Sequence, residues 1–129
     1  MIGGLINLTK SNSCEYYHIG NANWQEAPEL NEARSSNSSC SLGDYIYTFG
    51  GYGNKGSLKS VERLNAKSLL ECNTEVAWTL IEPLCQAFTP RCNIAVTPIS
   101  ETKIILIGGY DYETKKANSE TYLFDIGSI

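Results

Sequence analysis

The chain has 129 residues, 42% of them hydrophobic, and a formal charge of −4 from 10 basic and 14 acidic residues. That is the composition of an ordinary folded domain, without the basic excess that a nucleic-acid backbone or an anionic membrane surface requires of a partner. The longest apolar run, residues 104–107, is far too short to span a bilayer, and residues 1–10 lack the charged and apolar regions of a signal peptide.

Along the chain, the first landmark is the doublet Gly3-Gly4, directly after Ile2. Eleven residues beyond Gly4 stands Glu15, followed two residues on by Tyr17, and residues 15–19 read as a strand. Trp24 follows, and then Arg34. Residues 38–42 form a polar, weak strand candidate, Gly43-Asp44 suits a tight turn, and residues 45–49 (Tyr-Ile-Tyr-Thr-Phe) are a strong strand. This strand ends in the second doublet, Gly50-Gly51. Again eleven residues separate the doublet from a glutamate, Glu62, with Leu64 two residues later and Trp78 beyond. The longer gap before Trp78 marks an insertion within residues 67–75. Arg91 opens a third copy: a strand at 93–97, a turn at 100–102, a strand at 103–107, Gly108-Gly109, and at the same distance Glu120 and Tyr122. Three doublets in one register are a repeat, each copy a unit of four antiparallel strands in about 50 residues.

The order of arginine, apolar run, Gly-Gly, Tyr-bearing strand and Trp resembles the kelch repeat, one blade of a β-propeller. The resemblance implies an all-β fold, a partial propeller of four-stranded antiparallel blades. Residues 1–26 are read as the end of a first blade, 33–80 as a complete second blade, and 89–129 as an incomplete third. Leu64 stands where the family usually has tyrosine, and the third copy stops before any tryptophan. Propellers close with roughly 4 to 8 blades, so about two and a half are expected to be a piece of a longer protein or one member of a multi-chain ring. The motif residues (Gly3, Gly4, Gly50, Gly51, Gly108, Gly109, Glu15, Glu62, Glu120, Tyr17, Tyr122, Trp24 and Trp78) are read as structural. The glycines open backbone geometry closed to other residues, and the aromatics supply area between blades.

A competing signal is Gly51-Tyr52-Gly53-Asn54-Lys55-Gly56, a GxGxxG directly after an apolar strand. With a helix over 57–72 and Glu71 as the ribose acid, it would make a dinucleotide-binding oxidoreductase fragment. The doublets at Gly4 and Gly109 carry no such motif, which favours the repeat. His18 is the single histidine, too few for a zinc site, the copper site of some kelch oxidases, or a triad. No catalysis and no cofactor are therefore expected. Cys14, Cys40, Cys72, Cys85 and Cys92 are odd in number and lack CxxC spacing, as expected of reduced thiols in a cytoplasmic protein. The sequon triplets at 7–9 and 37–39 are read as chance matches.

The function that the resemblance implies is protein–protein interaction as a scaffold or adaptor, with other proteins as partners, besides remaining blades or further copies of the chain; neither nucleic acid nor membrane is expected. In an antiparallel blade the loops from second to third strand emerge on the same face as the approaches to the first strand. That face would gather Arg34, Arg91, Tyr52, Tyr110 and Tyr112, residue types enriched at binding hot spots; the alternative for the two arginines is that they merely bond neighbouring loop carbonyls.

Overall fold

The computed structural model describes residues 1–86 and 88–129. Its regular structure is mostly antiparallel strands. A short hairpin of β1 (Leu5–Ile6) and β2 (Thr9–Lys10) leads to β3 (Cys14–His18), which pairs with β4 (Asn23–Ala27). The second unit runs β5 (Ser38–Leu42), β6 (Tyr45–Phe49), the small hairpin β7 (Tyr52–Gly53) and β8 (Gly56–Ser57), and then β9 (Val61–Asn65). The helix α1 (Ala66–Leu70) precedes the short outer strand β10 (Thr79–Leu80). After α2 (Glu82–Cys85) the third unit repeats the order with β11 (Ala95–Pro98), β12 (Lys103–Ile107), the hairpin β13 (Tyr110–Asp111) and β14 (Lys116–Ala117), and β15 (Thr121–Asp125).

The second unit is a four-stranded meander in the order β10-β9-β6-β5, and the third a three-stranded one in the order β11-β12-β15. The polar stretch 38–42 is a strand because its neighbour makes it one. All five of its residues pair with β6, and the Ser39 and Thr48 hydroxyls bond across the register at 3.0 Å. β6 lies mid-sheet, and its aromatic and β-branched side chains fit a pleated surface covered on both faces; Tyr47, Thr48 and Phe49 are all buried. In β12 burial alternates, with Ile104 and Leu106 inside.

The cores lie between the sheets rather than within them. Phe49 and Val61 of the second sheet meet Ile104 and Phe124 of the third, with Ile81 and Leu84 of the connection filling the gap. Phe49 and Phe124 stack across this seam at 6.2 Å between ring centroids. A second, smaller core joins Cys14 of β3 to Leu64 and Trp78 of the second unit through Leu30. Each unit thus buries its apolar face only against a neighbour, the arrangement of blades in a propeller.

The helix required by the dinucleotide reading is absent where it would have to begin. Residues 61–65 form β9, bonded to β6 on one side and β10 on the other. Helical structure starts only at Ala66, where the Asn65 side chain caps the first turn by accepting from the Ser68 amide at 2.9 Å. This helix occupies the first part of the insertion expected at 67–75.

Candidate functional site

All three doublets take the same pair of left-handed backbone angles. φ is +64° and +109° at Gly3 and Gly4, +55° and +103° at Gly50 and Gly51, and +69° and +105° at Gly108 and Gly109. Conformation is only half of the requirement. The Gly4 amide donates to the Arg34 carbonyl at 2.7 Å, and the Gly51 amide to the Arg91 carbonyl at 2.9 Å. The backbone of each following unit therefore docks on the doublet of the one before. A Cβ on Gly3 would lie 2.5 Å from the Arg34 carbonyl oxygen, and one on Gly50 would overlap the Arg91 carbonyl in the same way.

The same arginines turn their side chains into their own unit. Arg34 Nη1 donates to the Gly50 carbonyl at 2.8 Å, and Nη2 to Glu62 Oε2 at 2.6 Å. Arg91 repeats this with the Gly108 carbonyl at 3.0 Å and Glu120 Oε2 at 3.2 Å. Glu62 is wholly buried and also accepts from the Asn31 amide and side chain. This corrects the expectation that Arg34 and Arg91 offer themselves to a partner: their exposures are 0% and 1%. Arg34 spends its donors on the Glu32, Gly50 and Ser60 oxygens and the buried Glu62, and Arg91 turns inward to Thr89, Gly108 and the more exposed Glu120, so neither presents its guanidinium to a ligand.

The other motif residues divide. Trp78 is buried, and its indole N–H donates to the Pro28 carbonyl at 2.9 Å, tying the outer edge of one unit to the linker from the last. Tyr17 and Trp24 lie opposite each other across β3 and β4 with ring centroids 5.7 Å apart, yet are 47% and 62% exposed. They are not covered by a neighbouring sheet, and Glu15 is exposed beside them.

What remains on the face is aromatic. The Tyr52 and Tyr112 rings are 5.1 Å apart and the Tyr110 and Tyr112 rings 4.9 Å apart, so the tyrosines form a row across two hairpins. The hairpins are bound to each other as well: the Ser57 amide donates to Glu113 Oε1 at 2.9 Å, and the Tyr112 amide to the Ser57 hydroxyl at 3.2 Å. Lys10, on the first hairpin, holds its ammonium 4.5 Å from the centre of the Tyr52 ring, a cation–π contact. Lys10 escaped the sequence reading, although its place six residues after Gly4 matches Ser57 after Gly51. Asn31, which completes the Glu62 site, has no counterpart in the repeat that could have marked it.

A sequence model of the Kelch motif matches residues 33–68. The chain is 33% identical to Kelch-like protein 36 of Bos taurus over 106 residues, which is 79% of this chain and 16% of that protein. The Rattus norvegicus and Mus musculus proteins of the same name are 31% identical over the same share. The chain belongs to the kelch-repeat family. It spans about a sixth of the length of the curated relatives it matches. The clasp of glycine doublet, arginine and glutamate is thus the joint between kelch blades, and the tyrosine row lies on the loops joining second and third strands.

The two kelch clasps differ in their exposure to solvent. Glu120, with a side chain 58% exposed, accepts from the Tyr122 hydroxyl at 2.6 Å. That bond, and Arg91 after it, hold its carboxyl below the ordinary range. A depressed folded pKa contributes stability that is present above the unfolded value and lost as pH falls through the folded one. The melting-temperature gap between wild type and Glu120→Gln is therefore expected to narrow as the pH is lowered from about 6 to about 3. A gap that stays constant would mean that the carboxylate charge is not what the arginine and tyrosine hold.

Proposed function

We propose that this kelch segment is a protein-interaction scaffold whose partner binds across the hairpin face, with Tyr52, Tyr110 and Tyr112 as its anchors. The row of three mutually packed tyrosines carries the reading. Tyr112 stands at its centre, packed on both of the others, and remains 47% exposed; tyrosines already held in place lose little freedom on binding. The hairpin tips bear little of the inter-blade core, so they are free to vary without disturbing the sheets. Exposed apolar groups on the outer sheets, among them Ile107 and Leu123 of the third unit, support stacking by further blades of the same polypeptide or of another copy. Five unpaired thiols are in keeping with a reducing, cytoplasmic setting.

Tyr112→Ala is expected to weaken partner binding by about 2 kcal/mol or more while leaving the melting temperature nearly unchanged. Proteins retained by wild-type and variant chains, quantified side by side with a thermal melt of each, check this. A variant that melts earlier yet retains its partners would assign the tyrosine to stability and move the binding surface elsewhere.

A further inference from the structure

We propose that the partner segment received by the hairpin face is acidic. The inference rests on the reading of that face as the binding surface and adds the chemistry of what binds there.

Charge is distributed unevenly over the chain. Residues 5–13, 52–60 and 110–119, the loops between second and third strands, contain Lys10, Lys55, Lys59, Lys115 and Lys116, five of the seven lysines. Their only acids are Asp111 and Glu113. Five positive against two negative charges leave these loops at +3, so the remainder of a chain that totals −4 stands at −7. Lys55, Lys59, Lys115 and Lys116 are exposed. Among the described residues the ion pairs are all made by arginines, none by a lysine. Of the carboxylates beside these loops, Glu113 accepts from the Ser57 amide, Asp111 from the Glu113 amide at 3.0 Å and Glu29 from the Asn12 side chain at 3.3 Å, Glu32 lies 3.5 Å from Arg34, and Glu82 lines a cavity together with Lys59. None of them is ion-paired to a lysine among the described residues, which leaves Lys55, Lys115 and Lys116 on the hairpins to answer charges from outside.

The tyrosine row shares its hairpins with these lysines, so one short chain can place carboxylates on ammonium groups while its backbone and apolar atoms lie on the rings. A nucleic acid matches this pattern less well. It is a long, dense polyanion, and beyond the loops it would meet a surface of net −7 within about a Debye length, ~10 Å at moderate salt. A short acidic segment of a protein ends where the favourable charge ends.

The test is fluorescence anisotropy with the full chain and a fluorescein-labelled Glu/Gly peptide of about ten residues, long enough at ~3.3 Å per residue to cross neighbouring hairpins. Its Gln/Gly counterpart and a short single-stranded oligonucleotide serve as competing probes. The Glu/Gly peptide is expected to bind at low salt and to weaken as salt rises. The Gln/Gly peptide should bind at least about tenfold more weakly, and Lys55→Glu, Lys115→Glu and Lys116→Glu combined should cost the Glu/Gly peptide a similar factor. These lysines are exposed, so an unchanged melt should accompany the loss. Absence of Glu/Gly binding, equal binding of the two peptides, indifference to the charge reversal, or tighter binding of the oligonucleotide would each overturn the proposal. The tyrosine face is judged separately. If charge proves irrelevant but Tyr112→Ala still releases protein partners, the surface stands and only its acidic ligand is withdrawn.

Discussion

Arg34→Ala is expected to destabilise the chain by about 3–5 kcal/mol, the range for removing one partner of a buried ion pair. The guanidinium is the only cation bonded to the Glu62 carboxylate among the described residues, and neither side chain has any exposure to solvent. Without it, a carboxylate remains among Asn31 and the strand edge with no opposite charge, and the Gly50 carbonyl loses its donor. That loss is a large share of the 5–15 kcal/mol typical of a domain. Arg91→Ala removes the equivalent bonds, but Glu120 is open to water and regains hydration, so its cost should be smaller, about 1–2 kcal/mol. Urea unfolding of the two variants checks the ranking. Adding Glu62→Gln to Arg34→Ala should restore part of the loss, because the stranded charge is then gone. Equal costs at the two arginines, or no recovery in the double variant, would show that burial of Glu62 is not the source of the effect.

Gly50→Ala is the second large effect, expected at about 3 kcal/mol or more. Two penalties coincide there. A φ of +55° strains any side chain, and the new methyl group would occupy the place of the Arg91 carbonyl oxygen. The blade joint must open to admit it, which also lengthens the Gly51 amide bond to that carbonyl. Gly43→Ala is the internal control. Its φ is +59°, but nothing lies within 4 Å of the added carbon, so only the conformational cost of about 1 kcal/mol should appear. Thermal melts of the two variants separate strain from collision. Equal losses would mean that the doublet is selected for its angles alone.

These two sites also show what could be read before any coordinates. The doublets, the eleven-residue spacing to Glu15, Glu62 and Glu120, and the apolar runs before Gly50 and Gly108 are features of local order, and local order fixes strands and turns. The β9 strand at Val61–Asn65 follows from that spacing, despite a GxGxxG motif that taken alone suggests a helix. Depth is not a local property. Arg34 and Glu62 are 28 residues apart, and Arg91 and Glu120 29; the recurrence was visible, but nothing in it says that one glutamate is sealed and the other open. The difference lies in the neighbours: Glu62 stands on β9, flanked by β10 and bonded by Asn31, whereas β15 is the edge of its sheet and Glu120 is met by Tyr122. Tyr17 and Trp24 mislead for a related reason. Their spacing matches the motif, but an aromatic is buried only where a neighbouring sheet lies over it. On the binding face, the tyrosines were legible from loop topology, whereas the place of Lys10 over Tyr52 depends on how two blades meet.

The joint between blades is central: the glycine doublets at Gly3-Gly4 and Gly50-Gly51 are docking points for the backbone of the next blade, and the proposed partner surface is the hairpin tips that this joint leaves over. Amide hydrogen exchange followed residue by residue tests this most directly. Gly4 and Gly51, whose amides bond the Arg34 and Arg91 carbonyls, should exchange slowly, as strand amides do. Gly109 has the same backbone angles but no such arginine carbonyl above it among the described residues, and should exchange much faster. Gly51 exchanging as fast as Gly109 would contradict the account, because the doublet would then be a turn and not a joint.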